Sequence, residues 1–170
     1  MAGEEHRTKT GLAVTVKPAT EDDLDEVHRL LADIVAAGEG YPQDPAVPVT
    51  GDDFASYWLT PSTVVVAARV DGALAGSYRI MPNGVGRAAH VANAGYLVAA
   101  PWRGQGVGEL LVRHSMDEAR RHGFDALQFN FVFETNPARR LYDRLGFTSV
   151  GRVPDVIDGE AVHIYWRKLT

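Results

Sequence analysis

Apolar positions along the chain switch between two periods, and each switch marks an element. Ala13 to Lys17 alternates apolar and polar residues, as a half-buried strand does. Beyond Thr20, a residue suited to capping, Leu24, Val27, Leu31, Ile34 and Val35 recur near helical spacing until Gly38 ends the run. Residues 38–51, GEGYPQDPAVPVTG, hold three prolines and predict an irregular loop ahead of a short helix near Asp52 to Leu59. Ser62 to Val70, the pair Asp71-Gly72, and Ala73 to Met81 predict a hairpin, and Asn83-Gly84 marks a turn before a strand at Ala89 to Val98. A helix from Gly106 to about His122 puts Val107, Leu110, Leu111 and Ala119 on one arc, with Glu109, Arg113, Asp117 and Arg120 opposite. Ala126 to Phe133 reads as a buried strand, and Phe147 to Ile157, Asp158-Gly159 and Ala161 to Leu169 as a closing hairpin. Residues 1–10 are polar and are expected to be disordered, with residues 11–170 forming one domain.

The chemistry concentrates between Tyr96 and Leu111, YLVAAPWRGQGVGELL, where an apolar run gives way to a basic glycine-rich loop and then a helix. Glycines at 104, 106 and 108 leave backbone N–H groups unshielded where the helix's first amides lack partners. Such a turn, with the helix dipole and the charge of Arg103, suits a diphosphate. A P-loop would need Gly-Lys followed by Ser or Thr, and the loop has no lysine; a dinucleotide fingerprint would need glycine at position 109, which is Glu109. The remaining pattern, Arg103-Gly104-Gln105-Gly106-Val107-Gly108, resembles the Arg/Gln-x-x-Gly-x-Gly/Ala signature of the GCN5-related N-acetyltransferases, whose loop holds the pyrophosphate of acetyl-CoA. About thirty residues on, Glu134-Thr135-Asn136-Pro137-Ala138-Arg139-Arg140-Leu141-Tyr142 and Leu145-Gly146-Phe147 are similar to that family's second motif.

The resemblance spans Val14 to Leu169. It implies an α/β fold of the α+β type, with a mixed central sheet of six to seven strands flanked by about four helices. The fourth and fifth strands would splay apart to admit the pantetheine arm. It implies that the main chain of Leu97, Val98 and Ala99 pairs with that arm, that the loop from Arg103 to Gly108 (Arg103, Gly104, Gln105, Gly106, Val107, Gly108) binds the diphosphate, and that Asn136 contacts the cofactor or orders the site. Before Pro137, Asn136 also suits a helix start. Tyr142 would be the general acid that protonates the departing thiolate. Arg139 and Arg140 could reach the CoA phosphates or form a solvated helix face.

Many relatives place a carboxylate on the fourth or fifth strand as general base, whereas this chain offers His90, Asn93, Gln128 and Asn130 there. Deprotonation through water, or capture of the neutral amine, is the expected route, with Glu134 and His90 as side-chain alternatives. His28 and His114 fall near the apolar arcs of their helices and are expected to be structural. Asn93 and Asn130 are polar amides in apolar strands, which need partners. Together with QFNFVFETN they resemble the subgroup that acetylates proline analogues such as azetidine-2-carboxylate. In that subgroup they would hold a carboxylate, and Tyr41, in the proline-rich loop, could close over it.

Composition narrows the classes. A chain of 170 residues, 45% hydrophobic, can bury one sizeable core. With no cysteine it makes no disulfide and no cysteinyl acyl-enzyme, and no metal is expected. A formal charge of -5 disfavours nucleic acid, and no apolar window suits a signal or a membrane span. A cytoplasmic acyltransferase, monomeric or homodimeric, moving acetyl from acetyl-CoA to a small-molecule amine is the expectation. A protein N-acetyltransferase and a noncatalytic acyl-CoA-binding module are the alternatives.

Overall fold

The computed structural model describes residues 3–169. Its elements follow in the order β1 (Glu4–Arg7), β2 (Ala13–Pro18), α1 (Glu21–Ala36), α2 (Gly51–Trp58), β3 (Val64–Val70), β4 (Ala73–Pro82), β5 (Val91–Val98), α3 (Val107–Arg121), β6 (Ala126–Phe133), α4 (Arg139–Arg144), β7 (Thr148–Ile157) and β8 (Glu160–Lys168). They build one eight-stranded sheet in the order β1-β2-β3-β4-β5-β6-β8-β7. No helix among the described residues is long and apolar enough to cross a membrane.

Two Asp-Gly turns set the hairpins. Asp71 and Gly72, at φ 48° and 83°, join β3 to β4, and Asp158 and Gly159, at 51° and 81°, join β7 to β8. Positive φ at both central residues matches the twist of antiparallel strands. β5 and β6 are the exception: α3 carries the chain across the sheet between them, so they run parallel.

Each face of the sheet buries its own cluster. On one, α3 and α4 add Val107, Leu111, Met116, Tyr142 and Leu145 to Val66, Tyr78, Ile80, Ala92 and Phe129. On the other, α1 and α2 bring Val27, Leu31, Phe54 and Trp58 onto Leu97. α1 is pinned further by Asp23, 2% exposed, whose carboxylate takes Arg69 from β3 at 2.6 Å and Lys17 from β2 at 3.0 Å. The same carboxylate accepts from the Thr20 amide at 2.8 Å. Burial alone would raise the pKa of Asp23, but the Thr20 amide and the Arg69, Thr20 and Lys17 donors outweigh it and hold the group ionised.

One expectation fails. Residues 1–10 were expected to be disordered, yet Glu4–Arg7 pair antiparallel with β2, and Thr8 is buried. Met1 and Ala2, like Thr170, lie outside the described residues. Glu4-Glu5-His6-Arg7 has no apolar alternation, because an edge strand can draw on ladder hydrogen bonds and leave its side chains in water. The sheet therefore has eight strands, and the splaying fourth and fifth strands of the expected order are β5 and β6.

Candidate active site

The parallel ladder between β5 and β6 is short. It pairs Val91, Ala92 and Asn93 with Ala126, Leu127 and Gln128 and then stops, although both strands continue. On its other edge β6 shifts register against β8 between Phe129 and Val132, the mark of a bulge, which bends the strand. Backbone groups of β5 beyond Asn93 therefore face a gap. Two carbonyls there accept from side chains: Tyr96 O from Tyr41 Oη at 2.8 Å, and Val98 O from Arg103 Nε at 3.3 Å. Of the residues expected to offer main-chain contacts, Val98 faces the gap through its carbonyl, whereas the Ala99 amide is donated to Ala75 on β4 at 2.9 Å. Leu97 is fully buried, and its carbonyl lies against Gly76 of β4.

Beyond β5 the chain turns into the glycine loop. Gly104 and Gly106 adopt φ of 72° and 86°, a region that side chains disfavour, and Gly106 caps α3. The first intrahelical bond runs from the Leu110 amide to Gly106 O, so the amides of Val107, Gly108 and Glu109 precede any helical acceptor. These N–H groups, together with the dipole, make an anion cradle. A methyl on Gly106 would lie 3.0 Å from Thr8 Cβ, whereas one on Gly108 would meet Val98 Cγ2 at an ordinary 3.7 Å. A substituent at Gly106 therefore strains the loop itself before it meets any ligand. Gln105 braces the turn by donating to Pro101 O at 2.8 Å, and Arg103 forms an ion pair with Glu39 at 2.7 Å.

Tyr142 is buried on α4 with its ring 4.7 Å from Phe129, beside the β6 bulge. Burial, with the neighbouring Tyr165 hydroxyl, pushes its pKa well up, so the phenol stays protonated and able to donate. Asn136 accepts from the Ala138 amide at 2.9 Å and so shapes the turn into α4, which begins at Arg139. Arg139 donates to Glu134 O at 2.9 Å and to Tyr165 Oη at 3.2 Å, while Arg140 is exposed. Glu134 makes a two-point pair with Arg152 at 2.8 and 2.9 Å, which holds it down at about 2 and makes it a weak proton acceptor. His90 is exposed, with Nδ1 on Arg87 O at 2.9 Å.

The face under α1 and α2 holds the remaining expected residues. Asn93 Nδ2 donates to Gln128 O at 3.0 Å, a side-chain rung where the backbone rungs end. Asn130 donates to Asn83 at 2.6 Å and accepts from Gln128 at 2.9 Å. Tyr41 reaches from the proline-rich loop across β5, its ring 6.3 Å from both Tyr57 and Trp58. Burial pushes the Tyr41 phenol well up, and the guanidinium of Arg79 lies over the same two rings, 4.6 Å from the centre of Tyr57 and 5.1 Å from that of Trp58. Arg79, with Tyr57 and Trp58, is the part of this site that the sequence reading missed. Its signal was a charge inside the strand run Tyr78-Arg79-Ile80-Met81, where alternation gives no reason for one.

The other expected histidines are structural. His28 stacks on Phe54, with ring centres 5.0 Å apart, and bonds Val49 O at 2.8 Å. His114 meets the Tyr78 hydroxyl at 2.7 Å. With Glu4 and His6 it forms the one group among the described residues whose donor atoms, all within 4.8 Å of one another, could surround a metal ion. That group ties β1 to α3.

Residues 27–147 match the model of the acetyltransferase (GNAT) family. Over 99 residues the chain is 37% identical to N-acetyltransferase aca1 of Schizosaccharomyces pombe, a match covering 56% of this chain and 47% of that protein. The chain thus aligns with about half the length of this curated relative. In three dimensions it is similar to a GCN5-related N-acetyltransferase from Kribbella flavida, with a TM-score of 0.83 and 38% identity over 91% of this chain and 97% of that one. It also shares its fold with yncA from Salmonella typhimurium, solved with its cofactor acetyl-CoA, at a TM-score of 0.81 and 19% identity over 92% and 94% of the two chains. The matched span contains the parted strands, the glycine loop and Tyr142, and the chain belongs to the acetyltransferase (GNAT) family.

Proposed function

We propose that the protein is an acetyl-CoA-dependent N-acetyltransferase that passes the acetyl group directly to a primary or secondary amine of a small molecule. The observation that carries this reading is the alignment of three features along one path. Free amides at the head of α3 suit a diphosphate. The edge of β5 beyond Asn93, no longer paired with β6 and met only by side chains at Tyr96 O and Val98 O, suits an extended pantetheine arm, added like a strand. A protonated phenol, that of Tyr142, packs on Phe129 of β6 beside the bulge. In the reaction, the amine nitrogen attacks the thioester carbonyl carbon, the N–C bond forms, the C–S bond breaks, and the amine proton leaves to solvent. Tyr142 supplies a proton to the sulfur as it gains charge. No cysteine is present to hold the acetyl group on the way, which supports direct transfer.

The proline-rich loop favours a small acceptor over a peptide. Tyr41 seals against the Tyr96 carbonyl and the Tyr57–Trp58 pair, which closes the α1–α2 side of the gap. The acceptor on this reading is an amino or imino acid, or a toxic analogue of one. The test is thiol release from acetyl-CoA with free amino and imino acids, polyamines, aminoglycosides and Lys-containing peptides as acceptors. Turnover with peptides alone would replace the small-molecule reading, and CoA binding without turnover would assign the chain to a sensing role. Tyr142→Phe should lower kcat by about a hundredfold with CoA affinity kept, the size expected for a lost general acid; unchanged kcat would leave Tyr142 a packing residue.

A further inference from the structure

Arg79 is a buried cation with no anion beside it. It is 6% exposed in the middle of β4. Its guanidinium carbon lies 4.6 Å from the centre of the Tyr57 ring and 5.1 Å from that of Trp58, and one terminal nitrogen touches the Met81 sulfur. None of the ion pairs among the described residues includes it. Its Nε is buried with no hydrogen-bond partner. Aromatic faces offset part of the cost of burying a charge, but they and the weakly accepting Met81 sulfur leave the planar N–H fork without an oxygen acceptor, and that fork matches a carboxylate.

Its position gives that fork a purpose. Arg79 pairs with Gly95, just past Asn93, where the β5–β6 ladder ends. A methyl on Gly95 would lie 3.5 Å from both Arg79 Nε and the Trp58 ring, so guanidinium and indole rest directly on the β5 backbone at the mouth of the gap. The neutral amides nearby are engaged with their neighbours, Asn93 with Gln128 and Asn130 with Asn83 and Gln128. Tyr41 Oη is fixed on the Tyr96 carbonyl, next to Gly95, and its ring lies 6.3 Å from both Tyr57 and Trp58, the two rings that hold the guanidinium.

From this geometry we infer that Arg79 binds an anionic group of the acceptor, a carboxylate close to the reacting amine as in an α-amino or imino acid, and so determines substrate specificity. The inference rests on the acetyl-transfer reading above and makes it narrower. Arg79 takes over the role expected of Asn93 and Asn130, whose amides hold the parted strands.

The experiment compares azetidine-2-carboxylate with its carboxamide as acceptors, in the wild type and in Arg79→Met, a change of similar volume that removes the charge. The expected result is preference for the acid and a rise of roughly a hundredfold in its KM in the variant, as for loss of a buried charge partner. KM for acetyl-CoA and for the carboxamide should stay put. Equal use of acid and carboxamide by the wild type, or an unchanged acid KM in Arg79→Met, would overturn the inference. A second readout needs no turnover: titration with sodium acetate, followed through tryptophan emission, since Trp58 lies against Arg79. A saturable change in the wild type that disappears in Arg79→Met supports the anion site even if no small amine is acetylated, in which case only the acetyl-transfer reading falls. A silent titration in the wild type removes the anion site whatever the turnover.

Discussion

Arg69 and Arg79 sit on neighbouring strands, and the protein treats them in opposite ways. Arg69, on β3, spends its donors on Asp23 at 2.6 Å, Glu26 at 2.7 Å and Gly72 O at 2.8 Å. Arg79, on β4, is more deeply buried and has two aromatic rings and a thioether for company. A buried charge with every donor matched fixes the docking of one element on another, here α1 on the sheet. One left unmatched costs stability in the resting protein, and a complementary ligand recovers that cost on binding. The contrast separates a structural arginine from a functional one without reference to any relative.

The comparison would break first at Asp23. Replacing it with Ala removes the shared partner of Arg69 and Lys17 and the carboxylate that holds the Thr20 amide, and should cost about 3–5 kcal/mol in urea unfolding. Changing both partners to apolar residues, Asp23→Leu with Arg69→Met, should recover much of that loss, because no orphan charge remains. Arg79→Met should behave the other way, holding or raising stability by about 1 kcal/mol in the same assay; a loss comparable to that of Asp23→Ala would make the two arginines alike and undo the contrast. Glu26→Gln should matter less, under about 1 kcal/mol, since Glu26 is 39% exposed and its pair is screened by solvent.

A smaller effect concerns His114, which burial, then His6 and Arg121, hold below the ordinary value of 6.5 despite Glu4 and Glu118. The unfolded chain therefore takes up this proton first as pH falls. Its contribution is complete above about 6.5 and is lost as pH drops through that value toward the lower folded one. His114→Gln should flatten the fall in urea midpoint between neutral and mildly acidic pH; an unchanged slope would assign the fall to other groups.

What was legible in the sequence was local. Asp71-Gly72 and Asp158-Gly159 announce their hairpins because few other pairs accept two positive φ angles, and the glycines before α3 announce an anion cradle for a similar reason. The short helix expected near Asp52 does form, and Thr50 and Asp53 close a reciprocal cap at its start. What was not legible was long-range. Glu4-Glu5-His6-Arg7 carries no apolar period because its strand rests on pairing with β2 and on polar contacts with α3. The isolation of Arg79 and the satisfaction of Arg69 look the same in sequence, for each is an arginine in an apolar strand. Only the meeting of α1 with β3, and of α2 with β4, tells them apart. The amides of Asn93 and Asn130 were noticed correctly as out of place, but their partners, Gln128 and Asn83, come from other strands and turns.

The N-terminal segment bears on where this domain can be cut. Thr10 donates its hydroxyl to the Gln105 carbonyl at 2.8 Å, and Thr8 abuts Gly106, so residues far upstream in sequence stand as a retaining wall behind the glycine loop. A truncation at residue 11, which sequence polarity recommends, would spare both apolar clusters but strip the edge strand β1 from the sheet together with that wall. The shortened protein would keep its two cores and yet grip acetyl-CoA poorly, the glycine loop having lost what stands behind it.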